Sequence, residues 1–290
     1  MANQYIDKII QRIMENTNTT TNPGIIIASP SESPPYKYHW IRDSALVMRT
    51  IMDMYETTKD PIYFQYIINY IENESKLQEL KTKSGLGEPK YNINCTAFNG
   101  EWGRPQNDGP ALRGLTMLLL YKNINNNIIK DAVKKIMEKD INYVLINLYN
   151  NCYDIWEEIN GYHIYTRLVQ YKFIKEYNLL FPIQDCQGIL KNLKQIIDEH
   201  QFKNSSYDSN GIIRKYDSSL LLALNHIDYD EEIVNIYRQD FKTYISEIIT
   251  FYKNNYKINQ NTNRFIFIGR YYDDKYYNGN PWIICTTALY

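Results

Sequence analysis

Apolar residues return at the three- and four-residue spacing of a helix in about ten segments of this chain, separated by short connections in some places and long loops in others. Ile6, Ile9, Ile10 and Ile13 share one face over residues 4–16. A second helix is expected from Asp43 or Ser44 to about Glu56, with Leu46, Val47, Ile51 and Met54 inward. A third runs over 61–83 from Pro61, a favoured first helical residue, and carries Tyr63, Tyr66, Ile67, Tyr70 and Ile71. Leu112, Leu115, Leu118 and Leu119 mark a fourth, and Ile128, Ile129, Val133, Ile136, Ile141 and Val144 a fifth over 127–148. Further helical segments fit 161–179, 184–201, 216–226 and 231–254. Helix-turn-helix pairs recur without close sequence repetition, which suits an all-α fold of helical hairpins arranged in a ring.

Three loops interrupt this pattern. The first, Thr19 to Tyr38, contains Ser29-Pro30-Ser31-Glu32-Ser33-Pro34-Pro35, where the prolines forbid a helix. The second, 84–108, is longer than the roughly 12–15 residues of an ordinary connection. It holds aromatic and apolar residues, so a functional loop is the better reading than a disordered one. The third covers 255–280 and leads into Pro281-Trp282-Ile283-Ile284. No Gly/Ser linker or charge run marks a boundary, so 1–290 is expected to be one domain.

A net charge of −1 gives no basic surface for nucleic acid or an anionic membrane. Cys95, Cys152, Cys186 and Cys285 form no C-x-x-C pair and no zinc spacing with the four histidines. The N-terminus has no apolar run of signal-peptide type, and no run reaches a transmembrane length. A reduced, cytoplasmic protein is the expectation. The 28 tyrosines, with many Ile, Asn and Lys, read first as an AT-rich coding bias.

Four clusters carry chemistry. In Tyr153-Asp154-Ile155-Trp156-Glu157-Glu158-Ile159-Asn160-Gly161, two adjacent acids follow an indole. Burial against the ring and repulsion from the neighbouring acid would let one carboxyl keep its proton near neutrality, as the acid of a glycosidic cleavage must. Alone, the stretch also fits a solvated Glu pair at a helix start. In Tyr36-Lys37-Tyr38-His39-Trp40-Ile41-Arg42-Asp43, a guanidinium and a carboxylate side by side can grip several hydroxyls of one sugar; Asp43 as a helix N-cap paired with Arg42 is the other reading. Trp102-Gly103-Arg104-Pro105-Gln106-Asn107-Asp108 leaves an indole face open for stacking, or is a loop anchored by Trp102 and capped by Asp108. Gly269-Arg270-Tyr271-Tyr272-Asp273-Asp274 and Tyr276-Tyr277-Asn278-Gly279-Asn280-Pro281-Trp282 set a turn with Arg270 and Trp282 able to face a ligand; Asp273-Asp274 is too weak a signal for a metal site.

Together these clusters resemble glycoside hydrolase family 15, the glucoamylases, in order and spacing over nearly the whole chain. The resemblance implies an (α/α)6 barrel of twelve helices, of which about ten are expected here, and release of glucose from the non-reducing ends of α-1,4-glucans or malto-oligosaccharides with inversion and no cofactor. It implies Glu157 as general acid and Glu158 as a ligand of the sugar on the leaving side. Arg42, Asp43 and Arg270 would hold the terminal glucose. Trp102 and Trp156 would wall the pocket, Tyr36 and Trp40 would floor it, and Arg104, Asp108 and Trp282 belong to the same binding motifs.

Inversion also needs a base about 6.5–9.5 Å from the acid. In the family that Glu lies well past the Asn-Pro-Trp segment, and no position here matches it; neither Asp217 nor Asp273 sits in the right motif. The expectation is therefore a chain truncated relative to the family and impaired alone, with three readings open: one half of a split enzyme whose barrel a second polypeptide completes, a degenerate reading frame, or a fragment of a longer protein. A non-catalytic glucan-binding or regulatory domain is the alternative. A terpene-cyclase-like helical scaffold would need Asp-rich magnesium motifs, which the chain lacks.

Overall fold

The computed structural model describes residues 2–17, 22–199, 206–208, 211, 214–260 and 265–290. It divides into two compact units, Met1–Tyr149 and Asn150–Tyr290.

The first unit contains α1 (Ala2–Thr17), β1 (His39–Trp40), α2 (Ile41–Thr58), α3 (Pro61–Leu77), β2 (Lys90–Tyr91), α4 (Asp108–Asn123) and α5 (Asn127–Asn147). Caps set several ends. Asp60 accepts the Ile62 N–H at 2.9 Å ahead of Pro61 and starts α3. Asn126 accepts from Ile128 and Ile129 and starts α5. Twelve of the sixteen residues of α4 are buried, so this helix is interior on every side and packs between α2 and α5.

Two boundaries differ from the sequence expectation. Helix α2 starts at Ile41, before Asp43, because β1 pairs with β2 and Ile41 donates to Pro89 O at 3.0 Å. Asp43 is thus inside the first turn, where a carboxylate complements the helix N-terminus, and the cap position is Trp40, with no side-chain bond. Helix α3 stops at Leu77. Gln78 closes it and turns its amide onto Ile136 O at 3.2 Å and Asp140 at 2.9 Å.

That amide joins a buried charge network. Arg113, fully enclosed on α4, donates to Asp140 of α5 through Nε at 2.9 Å and Nη2 at 2.5 Å. Its Nη1 reaches Glu74 of α3 at 3.1 Å. His39 Nδ1 accepts the Ile26 N–H at 3.0 Å, so Nε2 carries the proton it donates to Glu74 at 2.7 Å. Burial works against the Glu74 charge, but His39 and Arg113 outweigh it and lower its pKa. The network ties three helices to the strand that carries Trp40.

The second unit contains β3 (Cys152–Tyr153), β4 (Asn160–His163), α6 (Ile164–Leu180), α7 (Cys186–Glu199), β5 (Ser206–Asp208), α8 (Ser219–His226), α9 (Glu231–Ile236), α10 (Arg238–Asn255), α11 (Lys257–Gln260) and α12 (Ile283–Ala288). Helix α6 is its buried centre, with α7 and α8 against it and α12 against α8. Strands β3, β4 and β5 form an antiparallel sheet. The helix expected from 161 therefore begins only at Ile164, because Asn160–His163 pairs on both edges. The segment expected as one helix over 231–254 is broken at Tyr237, which leaves helical geometry (φ −105°, ψ 20°) and donates its hydroxyl to Asp198 of α7 at 3.1 Å. The loop expected over 255–280 includes α11 and a 3-10 turn, Tyr276–Gly279. Residues 200 and 201 of one expected helix, 19–21 of the first loop and 261–264 of the last lie outside the described residues.

Counting α9 and α10 as one interrupted helix and setting the four-residue α11 aside leaves ten helices among the described residues, against five strands of two to four residues. The fold class is all-α. Among the described residues no helix is long and apolar enough to cross a membrane.

Candidate active site

The residues singled out in the sequence fall into two clusters, one within each unit. In the first unit the antiparallel register sets Trp40 opposite Lys90. Around Lys90 the loops close a ring cage. Its Nζ lies 3.1 Å from the Trp102 ring centre, 4.4 Å from those of Tyr38 and Phe98, and 4.5 Å from Trp40. A buried ammonium among four rings is a cation–π arrangement of the strong, desolvated kind. Trp40 stands edge-on to Trp102 at 6.0 Å, and Tyr36 lies 5.9 Å from Trp40. Composition gave no hint of Lys90. Its signal was one lysine inside the long aromatic loop 84–108.

Arg42 is the second residue of α2 and is nearly buried. Its Nη1 donates to Asp108 Oδ2 at 2.6 Å and to Gln106 at 3.1 Å, while Nε lies 3.9 Å from Asp43. Asp108, the first residue of α4, is completely buried, and Asp43 keeps 42% of its side chain exposed. The fork is therefore anchored on one side by Asp108 and carries an accessible carboxylate on the other. Arg104 is committed to the loop. It donates to Glu88 at 2.9 Å and to Gly100 O at 2.9 Å.

In the second unit the acidic pair sits in the connection between β3 and β4, and not at a helix start. Asp154 builds this turn, as Asp side chains do when they take up nearby backbone N–H groups. Its Oδ1 accepts from the N–H groups of Glu158 and Ile159, each at 2.8 Å, and its backbone exchanges bonds with Ile159 and Glu157. Glu157 is left in the left-handed region, at φ 65°. An L-residue adopts that conformation at a cost of order 1 kcal/mol or more, and such residues concentrate at functional sites.

Glu158 points into a cationic clamp. Arg214 Nη2 donates to its Oε2 at 2.7 Å, Arg270 Nη1 lies 2.9 Å from Oε1, and the Tyr271 hydroxyl also donates to Oε2. Arg214 bonds Asp154 as well, and Asp274 grips Arg270 in a fork at 2.6 and 2.8 Å. Burial disfavours the Arg270 charge, yet the bonds to Asp274 and the charge of Glu158 hold its pKa above the usual range. Burial and then the bond to Glu158 raise the Tyr271 phenol. Around the same guanidinium stand the rings of Tyr276, Trp282 and Trp156, at 5.0, 5.2 and 5.5 Å. Trp156 is pinned by its Nε1, which donates to Asp217 at 2.9 Å; Asp217 is fully buried and also caps Ser219. Asp273 is exposed, with Lys275 3.5 Å away. Arg214 is the other residue that sequence reasoning missed. It follows a segment with no motif, and only the fold brings it to Glu158.

The chain matches the model of the family "Glycosyl hydrolases family 15" over residues 2–290. It is 31% identical over 296 residues to Glucoamylase-1 of Schizophyllum commune, covering 92% of this chain and 50% of that protein. It is 31% identical over 295 residues to a probable glucoamylase of Schizosaccharomyces pombe, with 92% and 63% covered. The chain thus spans about half the length of the first curated relatives it matches. Among solved structures, the glucoamylase of Hormoconis resinae superposes with a TM-score of 0.81 at 25% identity over 97% of this chain and 53% of that one. The family 15 glucoamylase from Hypocrea jecorina gives 0.78 at 26%, covering 100% and 55%. With the motifs, the helical fold and these likenesses agreeing, the chain belongs to glycosyl hydrolase family 15.

Proposed function

We propose that the chain is the acid-bearing part of a glucoamylase-like, exo-acting hydrolase of α-1,4-glucans that works with inversion. One observation carries the assignment of acid. Of the two adjacent carboxylates, Glu158 has both oxygens engaged by Arg214, Arg270 and Tyr271, so it is a fixed part of the binding surface. Glu157, beside it in the same turn at φ 65°, takes the acid's role as the other carboxylate of the Trp-Glu-Glu motif. In this reading the Glu157 proton passes to that oxygen as the C1–O bond breaks, and a water attacks C1 from the opposite face. Arg42 and Asp43 grip sugar hydroxyls. Trp102 and Trp156 serve as walls for the sugar, Tyr36 and the buried Trp40 as floor, Trp282 belongs to the same binding motifs, Arg270 holds the terminal glucose, and Arg104 and Asp108 support these groups. The base that deprotonates the water is neither Asp217, which is spent on Trp156 and Ser219, nor Asp273. We place it on a further polypeptide segment that completes the same glucoamylase-like domain, and the whole in a reducing, cytoplasmic compartment.

The test is glucose release from maltotetraose by the chain, with and without the remainder of the domain, beside Glu157→Gln. Release that is lost in the variant supports the reading. Equal release by the variant removes Glu157 from the role. Binding of 1-deoxynojirimycin with no turnover in either preparation leaves a glucan-binding domain instead.

A further inference from the structure

A cavity of about 380 Å³ opens in the first unit between two loops, residues 31–38 and 92–94. None of the residues assigned above to sugar binding lines it. Both walls are held by their own bonds. Ser31 O accepts the Tyr36 N–H at 3.0 Å and Ser31 Oγ donates to Pro34 O at 2.9 Å. On the other wall Asn92 donates its backbone N–H to Thr96 O at 3.0 Å.

The polar groups of this cavity have fixed orientations. Asn92 spends both amide hydrogens, on Thr96 Oγ1 at 2.9 Å and Ala97 O at 3.0 Å, so its carbonyl oxygen remains as an acceptor. Asn94 Oδ1 accepts from Thr96 Oγ1 at 2.6 Å, so its NH₂ remains as a donor. Lys37 and Glu32 pair at 3.2 Å and neutralise each other. A cavity with set donors, set acceptors and no net charge selects a neutral polyol over an anion or a cation. The same two loops bring Tyr38, Pro35 and Ile93 to the cavity, apolar surface for the C–H face of a ring. Tyr38 is shared: the same ring belongs to the cage around Lys90. The volume falls within the roughly 300–1,000 Å³ of small-ligand sites.

We propose that this cavity is an accessory carbohydrate site that holds a glucosyl residue of an α-1,4-glucan beside the aromatic cage. The ligand class rests on the α-glucan reading above; the cavity and its donor and acceptor pattern do not. Tyr38, Pro35 and Ile93 take the ring face, and Asn92, Asn94, Lys37 and Glu32 take its hydroxyls.

The experiment uses β-cyclodextrin, a closed α-1,4-glucan with no non-reducing end, which cannot enter a pocket that recognises chain ends. Calorimetric titration of the full chain should show binding. Lys37→Met and Asn94→Ala should each weaken it about fivefold, the loss of one hydrogen bond of about 1 kcal/mol. Binding of 1-deoxynojirimycin, which reports the end-recognising pocket, should stay within about twofold in both. Absence of cyclodextrin binding, or unchanged binding by both variants, overturns the proposal. If 1-deoxynojirimycin fails to bind while cyclodextrin binding falls in both variants, the accessory site stands and the end-recognising reading is the one removed.

Discussion

The Asp154 carboxylate accepts the backbone N–H of Glu158 at 2.8 Å, so one acid sets the posture of the next two. The same oxygen takes the Ile159 N–H, and the other takes Arg214. All of this happens at a side chain that is 2% exposed. Asp154→Ala removes an anion from a buried pair and strips the turn of its organiser. Breaking such a pair costs about 3–5 kcal/mol. A fall of that size in the free energy of urea unfolding, with glucan binding weakened as Glu158 loses its fixed position, is the expected outcome. Unfolding unchanged within about 0.5 kcal/mol would show that Asp154 does not organise the loop.

The acidic pair should separate by kinetics. In an assembly that releases glucose, Glu157→Gln lowers kcat by about 10²–10⁴, the usual worth of a positioned acid, and leaves 1-deoxynojirimycin affinity near that of the parent. Glu158→Gln removes the charge that Arg214 and Arg270 share. It should act mainly on KM and on inhibitor affinity. Steady-state kinetics with maltose and maltotetraose decide it, and a reversal of the two patterns would exchange the roles.

The helices were legible because apolar residues return at helical spacing, whether the face they mark is buried, as Val133 to Val144 are, or exposed, as Ile6 and Ile9 are. Their ends were less so. Ile41 starts α2 because Pro89, far along the chain, accepts its N–H, and Asn160–His163 is a strand only because β3 and β5 flank it. Both are long-range pairings that leave no local pattern. The acids and tryptophans of the clusters announced themselves as motifs. Lys90 and Arg214 did not, because each acquires its meaning from partners distant in sequence: Tyr38, Trp40, Phe98 and Trp102 for one, Asp154 and Glu158 for the other.

Arg113 tests the buried network of the first unit. It joins Glu74 and Asp140, all three with fully buried side chains. Arg113→Met keeps most of the volume but leaves two acids facing each other without their cation. The expected loss is about 3–5 kcal/mol, read from the urea midpoint. A double variant with Asp140→Asn should recover part of it, because the uncompensated charge is then reduced. Additive losses in the double variant would mean that the two residues do not act as one pair.

Asp230 gives a pH test whose sign is fixed. It caps α9 through the Ile233 N–H at 3.2 Å and accepts from Lys172 at 2.6 Å and Lys175 at 2.9 Å. Burial opposes its charge, but the bonds from Lys172 and Lys175 outweigh burial and hold the carboxyl below its usual range. A depressed folded-state pKa contributes stability that is complete above the unfolded value, about 3.9, and is lost as pH falls through the lower folded value. Asp230→Asn should therefore be less stable than the parent at pH 7, by about 1–2 kcal/mol for charge-assisted bonds made neutral, and the gap should close as pH falls below about 4. Urea unfolding of both proteins from pH 7 down to pH 3 measures it. A gap that stays constant over that range would show that the charge of Asp230 adds nothing beyond its role as a cap.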